Sequence, residues 1–208
     1  MMARTTGIVV IALAAAGCGV LPPLPSGSVL FQDDFARESS GWGHQDAAGY
    51  RVGYVDGAYQ IQIDSPETLA WRTPGFDLGD VRVDVDTHAQ GPLDNAFGLI
   101  CRYQDPGNFY FLLISSDGFS GIGEVRDGER SLLTGVALLP SDAILQGPGP
   151  NHVRAECLGP RLRLWVNGLL AQEALVAGWD RGDVGVMAGS YAEPGVVVRF
   201  DNFAVTQP

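Results

Sequence analysis

At 208 residues the chain has the length of one domain with a single buried core, and two domains would each be small. It carries 24 Asp and Glu against 13 Arg, contains no Lys, and has a formal charge of −11, with the acids spread along the sequence. Nothing in it forms a basic stripe that could neutralise phosphates, so no nucleic-acid partner is expected.

The chain opens with one Arg and an apolar run from Gly7 to Ala16, closing on Ala15-Ala16-Gly17-Cys18, which is the layout of an export signal. At a helical rise of about 1.5 Å per residue the run covers only about half of a hydrocarbon core of roughly 30 Å, too little for a lasting anchor. Small residues directly before a Cys resemble a bacterial lipobox, although Leu13 stands two residues further from Cys18 than the pattern places it. The resemblance implies that residues 1–17 are removed and that Cys18 receives lipid. The product would be extracytoplasmic, held to the bacterial cell membrane through that anchor alone. An ordinary secretory signal ending before a Cys is the alternative. The mature chain would carry 12 Arg against 24 acids, a formal charge of −12.

Residues 18–28 hold the Cys and a Pro-, Gly- and Ser-rich stretch without charge, read as a short semi-extended tether. The globular domain is expected over 29–208. Period-two alternation follows: Tyr59, Ile61 and Ile63 against Gln60 and Gln62; Val81, Val83 and Val85 against Arg82, Asp84 and Asp86; Leu162, Leu164 and Val166 against Arg161, Arg163 and Trp165. Each run predicts a strand with one wet face. Phe109 to Ile114 is apolar on both faces and suits a central strand covered on each side. Gly or Pro interrupts nearly every long window, leaving Val136 to Gln146 as the best candidate for a single helical turn. Turn signals recur at Asp56-Gly57, Asp105 to Asn108, Asp117-Gly118, Asp127-Gly128, Gly159-Pro160 and Asn167-Gly168. The fold class is therefore all-β, two packed antiparallel sheets.

Cys101 and Cys157 remain as a pair once Cys18 is set aside, in a chain bound for an oxidising compartment and without metal-ligand spacing. A disulfide is expected between them, the alternative being two buried thiols.

Six segments in order resemble the concanavalin A-like lectin/glucanase superfamily, near its laminin-G-like and 3-keto-disaccharide hydrolase branch. They are Phe31-Gln-Asp-Asp-Phe35 with Ser40-Gly-Trp42; Phe97 to Asp105; Asn108 to Gly118; Asn151 to Cys157; Leu164 to Gly168; and Phe200-Asp-Asn-Phe203. The resemblance spans nearly all of residues 29–206. It implies a jelly-roll sandwich whose concave sheet often holds carbohydrate, on a fold that hosts lectins, hydrolases and adhesion modules alike.

Glucanases of the superfamily carry paired acids on one strand, because a retaining mechanism needs a nucleophile and a proton donor about 5 Å apart. The chain has no such run; Asp84 and Asp86 come nearest and read as a solvated strand face. The three His, at 44, 88 and 152, have no nucleophile elbow beside them. Sugar recognition asks for rings that stack and planar polar groups that reach hydroxyls. Trp71, Tyr103 and Tyr110 are the ring candidates, with Trp165 and Tyr191 behind them, and Arg102, Asp105 and Asn108 are their polar partners. Arg102 alternates with Leu99 and Cys101 and is expected to project from the sheet. The alternative is that these rings are sandwich core. Terminal strands that related sandwiches place side by side would bring together Asp33, Asp34 and Asp201, oxygen ligands suited to structural calcium. Arg181-Gly182-Asp183 matches an adhesion tripeptide by chance.

The residues thus favour a surface-anchored, non-catalytic domain that binds glycan or another cell-surface component. A glycoside hydrolase and a structural or partner-binding envelope module are the alternatives.

Overall fold

Alternation along the strands sorts apolar and polar side chains to opposite faces, and the structure follows that sorting. It is a computed structural model that describes residues 26–208; the export signal, Cys18 and most of the tether lie outside the described residues. In chain order the strands are β1 (Val29–Asp33), β2 (Gln45–Ala47), β3 (Tyr50–Val55), β4 (Ala58–Ile63), β5 (Leu69–Arg72), β6 (Val81–Gln90), β7 (Asn95–Asp105) and β8 (Asn108–Ile114). They continue with β9 (Phe119–Arg126), β10 (Glu129–Leu132), β11 (Leu139–Pro140), β12 (Pro150–Leu158), β13 (Arg161–Val166), β14 (Leu169–Leu175), β15 (Asp183–Ser190) and β16 (Val196–Thr206).

Two antiparallel sheets result. The larger runs β14-β13-β12-β6-β16-β4-β3-β2, with β1 added beside the end of β16; the smaller runs β10-β9-β8-β7-β15-β5, with β11 added to β9. Between them lies the main core, to which the larger sheet sends Val81, Val83, Val85, Ile61, Leu162 and Leu164, and the smaller sends Leu99, Tyr110, Leu112 and Ile114. Asp56-Gly57 and Asn167-Gly168 take left-handed backbone at their hairpin tips, as tight two-residue turns require. No helix forms at Val136 to Gln146. Pro140 lies in β11, paired with Phe119, and the Ser141 amide donates to the Gly118 carbonyl instead of a helical partner.

The first and last strands are clasped by aromatic rings. Trp42 lies 4.8 Å from Phe203 and 5.3 Å from Phe35, edge to face in both cases. The conspicuous Phe, Trp and Phe-Asp-Asn-Phe residues of the sequence are this clasp, and their role is structural.

Cys101 on β7 is bonded to Cys157 on β12, so the disulfide joins the two sheets through the core. It closes a loop of 56 residues in sequence separation, and a loop of that size restricts the unfolded chain by about 4 kcal/mol. Replacing both cysteines by Ala is expected to lower the thermal midpoint by roughly 10 °C without changing the far-ultraviolet circular dichroism; calorimetry of the variant checks it.

On the outer face of the larger sheet, charges pair directly across β6 and β12. His152 stands opposite Asp86, Arg154 opposite Asp84 and Glu156 opposite Arg82. His152 bridges both acids, Nδ1 at 2.7 Å from Asp86 and Nε2 at 3.0 Å from Asp84, while Asn202 donates to the second oxygen of Asp86 at 2.9 Å. This is the wet strand face expected of Asp84 and Asp86, now with its partners. Burial alone would push the imidazole pKa down from 6.5, but its hydrogen bonds to the Asp86 and Asp84 carboxylates, with their charge, outweigh it and raise it. Burial likewise works against ionised Asp86, and the His152 and Asn202 hydrogen bonds bring its pKa below 3.8. The His152 contribution to stability is therefore complete below pH 6.5 and is lost as pH rises through the raised value. The Asp86 contribution is present above pH 3.8 and is lost on acidification through its lowered value. A thermal midpoint that declines as pH is raised above 6.5, with the decline removed in His152→Gln, is the expected result.

Candidate functional site

The smaller sheet is apolar on both faces. Alternate residues of β8 divide between them: Tyr110, Leu112 and Ile114 enter the main core, whereas Phe109, Phe111 and Leu113 form a second cluster on the outer face with Ala96, Ile100, Val125 and Met187. These side chains are buried, and a hollow of about 890 Å³ opens beside them. The size is that of a small-molecule site.

Its floor is Phe111, Leu113, Ala96 and Met187. One wall is the segment Glu67–Leu69 entering β5; the other is Arg130–Leu132 of β10 together with Gly135–Leu138 beyond it. Gly121 and Gly123 on β9 let this second wall lie close. A Cβ at Gly121 would meet the Leu138 side chain at 2.6 Å, and one at Gly123 would meet the Phe111 ring at 2.2 Å. Asp94, Asn95, Ser115, Asp117 and Tyr191 close one end.

Hydrogen bonds hold that end in place. The side chain of Asn95, almost wholly buried, donates to the Pro92 carbonyl at 2.7 Å and to Ser116 Oγ at 2.9 Å, and accepts from the Ser116 amide at 3.0 Å. Two loops are thereby clipped together, with Asp94 on one and Asp117 on the other. Ser190 Oγ donates to the Ser65 carbonyl at 2.7 Å, and the Glu67 amide donates to the Tyr191 carbonyl at 2.8 Å, which fixes Glu67 beside Tyr191. The Tyr191 hydroxyl pKa is raised by burial first and then by Asp94, with Asp117 and Glu67 adding to the effect and Arg130 opposing it. Glu67, Asp94, Asp117 and Arg130 are the charged side chains that line the hollow. None of the three His borders the hollow.

The residues expected to bind ligand fall elsewhere. Arg102 does not project from the sheet. A bulge after Cys101 shifts the pairing, Arg102 takes φ 53° and its side chain is only 2% exposed. The guanidinium donates to the Trp179 carbonyl at 3.0 Å and to Asp80 at 3.2 Å. Tyr110 is fully buried in the main core against the Trp179 ring, so neither residue can meet a sugar from the concave side. The same bulge carries Tyr103 to the outer face. There Tyr103 and Trp71 flank Phe109, each with ring centroids 5.5 Å from it, but neither lines the hollow. Asp105 and Asn108 stabilise the β7–β8 turn, where the Asp105 carboxylate accepts from the Gly107 amide at 2.8 Å and from Asn108 Nδ2 at 3.0 Å. Trp165 belongs to the opposite sheet; of the rings weighed from sequence, Tyr191 alone reaches the hollow.

The three acids expected to hold calcium do not converge. Among the described residues no group of three His, Cys, Asp or Glu is placed to hold a metal. One oxygen each of Asp33, Asp34 and Asp201 accepts a nearby backbone amide, from Phe35, Ala36 and Asn202 respectively. The second Asp33 oxygen is buried without a partner and borders a shallow hollow that Asp34 shares and Asp201 does not. Nor is the Arg181-Gly182-Asp183 tripeptide presented: Arg181 pairs with Asp77 at 2.7 Å, and buried Asp183 accepts from the Gly75 and Val184 amides.

No protein-family model and no curated protein matches the sequence. Solved structures do match. A carbohydrate-binding module of type CBM66 from Bacillus subtilis superposes with a TM-score of 0.55 at 16% identity, over 81% of this chain and 96% of its own. A Bacillus subtilis protein of unknown function with a galectin-like fold gives 0.62 at 15% identity, over 88% and 97%. The Bacillus licheniformis beta-glucanase gives 0.59 at 11% identity, over 86% and 97%. At such identities the likeness establishes the fold and leaves function to the site. The chain has the concanavalin A-like jelly-roll sandwich fold that these structures share.

Proposed function

We propose that the chain is a non-catalytic carbohydrate-binding module, anchored through Cys18 to the outer face of a bacterial cell membrane, with its hollow as the glycan site. The observation that carries the reading is the hollow itself: an apolar floor for the C–H face of a sugar, ringed by side-chain oxygens and one guanidinium for its hydroxyls. Glu67, Asp94 and Asp117 stand on three separate turns rather than as paired acids on one strand, which favours binding over hydrolysis of the glucanase kind.

The course of the strands supports the tethered arrangement. The chain enters the domain where Gly27 bonds to Gln207, at the end of the sandwich occupied by Thr206, Arg82 and Leu158. Asp94, Asp117 and Tyr191 belong to the opposite end. A domain held by its leading residues would turn the hollow away from the membrane.

A glycan array probed with the full chain is expected to give binding that falls about tenfold or more in Tyr191→Ala and Arg130→Ala, while Trp71→Ala, outside the hollow, leaves it unchanged. Release of dye from any chromogenic glycoside would replace this reading with that of a hydrolase. For the anchor, metabolic labelling with palmitate is expected to mark the wild-type chain and leave Cys18→Ala unlabelled.

A further inference from the structure

We infer that the hollow takes uncharged glycans and turns away those bearing carboxylate or sulfate groups. The inference rests on the glycan-binding reading above and deepens it. It comes from the charged side chains that line the hollow, Glu67, Asp94 and Asp117 against Arg130 alone. Among the described residues none of these four makes a side-chain ion pair, although most other Arg side chains do. The lining of the hollow therefore holds three carboxylates against one guanidinium, an excess of two negative charges.

The apolar floor sharpens the effect. Phe111, Leu113 and Met187 form a low-dielectric wall under the charges, and such walls focus potential into the cleft rather than letting water disperse it. A carboxylate can only accept hydrogen bonds. An uncharged sugar brings hydroxyl donors to Glu67, Asp94 and Asp117, and its ring and glycosidic oxygens accept from Arg130 and the Tyr191 hydroxyl. A uronate, sialate or sulfate ester instead brings acceptors to acceptors and charge to like charge, with one Arg to offset three acids. Donors from a neutral sugar to these carboxylates are charge-assisted, the stronger kind of hydrogen bond.

The test is titration calorimetry on the full chain with matched pairs that differ in charge: lactose against 3′-sialyllactose, arabinoxylan against glucuronoxylan, galactan against polygalacturonate. Each neutral member is expected to bind at least ten times more tightly than its acidic counterpart, with the gap narrowing as salt is added. The double variant Glu67→Gln, Asp94→Asn is expected to weaken neutral binding by about ten- to hundredfold and to narrow the gap. Both residues are exposed, so the fold is retained, and an unchanged thermal midpoint confirms this. Acidic glycans that bind as well as or better than neutral ones, above all if Arg130→Ala abolishes that binding, would overturn the inference and leave the glycan site standing. Neutral binding indifferent to the double variant would overturn it as well. Failure of every glycan, charged or not, would instead remove the glycan-binding reading itself.

Discussion

A strand shows alternate side chains to alternate faces, and the smaller sheet of this protein has apolar residues on both. One face closes the main core against the larger sheet. The other is a second buried cluster against which Leu69, Trp71, Tyr103, Leu132 and Tyr191 pack, with a hollow walled by the entry to β5, by β10 and by the segment after β10. The larger sheet obeys the opposite rule, with an apolar inner face and an outer face of paired charges. The two sheets thus differ: one outer face carries ion pairs, and the other is a second apolar cluster with a hollow above it.

Two fastenings hold this arrangement. The Cys101–Cys157 bond crosses the core between the sheets, and the rings of Phe35, Trp42 and Phe203 close the first strands onto the last. Neither touches the hollow. The scaffold and the site are built from different residues, which explains how an architecture common to a carbohydrate-binding module and a beta-glucanase persists at 16% and 11% identity.

Most of the architecture could be read from the sequence because period-two alternation and Asp-Gly or Asn-Gly turns are local signals. Val81 to Val85 and Leu162 to Val166 point where their spacing says they must. The disulfide was legible from the parity of the cysteines. The site was harder, for two physical reasons. Arg102 sits at a bulge, and a single extra residue reverses the facing of everything after it, so the phase set by Leu99 and Cys101 does not extend to Arg102. Tyr110 is a ring candidate by type, but in a strand covered on both sides the alternation cannot say which face is which, and it lies in the main core. A usable signal was present in Gly121 and Gly123, small residues at period two that mark a close approach on one strand face. Glu67, Asp94 and Asp117 lie far apart along the chain, and only the loop pairing through Asn95 and Tyr191 brings them together.

The clip formed by Asn95 has a consequence for how such a domain can diversify. It ties the mouth of the hollow to a rigid hairpin, while the opposite wall is the irregular stretch Gly135–Leu138, secured at its flanks by the bonds of Leu133 to Ile122 and Ser141 to Gly118. Residues can be inserted or exchanged within Gly135–Leu138, ahead of β11, without disturbing a ladder or the cross-sheet bridge. Selection acting on that one strap can reshape what the hollow admits, with the acidic end as an unmoving reference against which each new wall is judged.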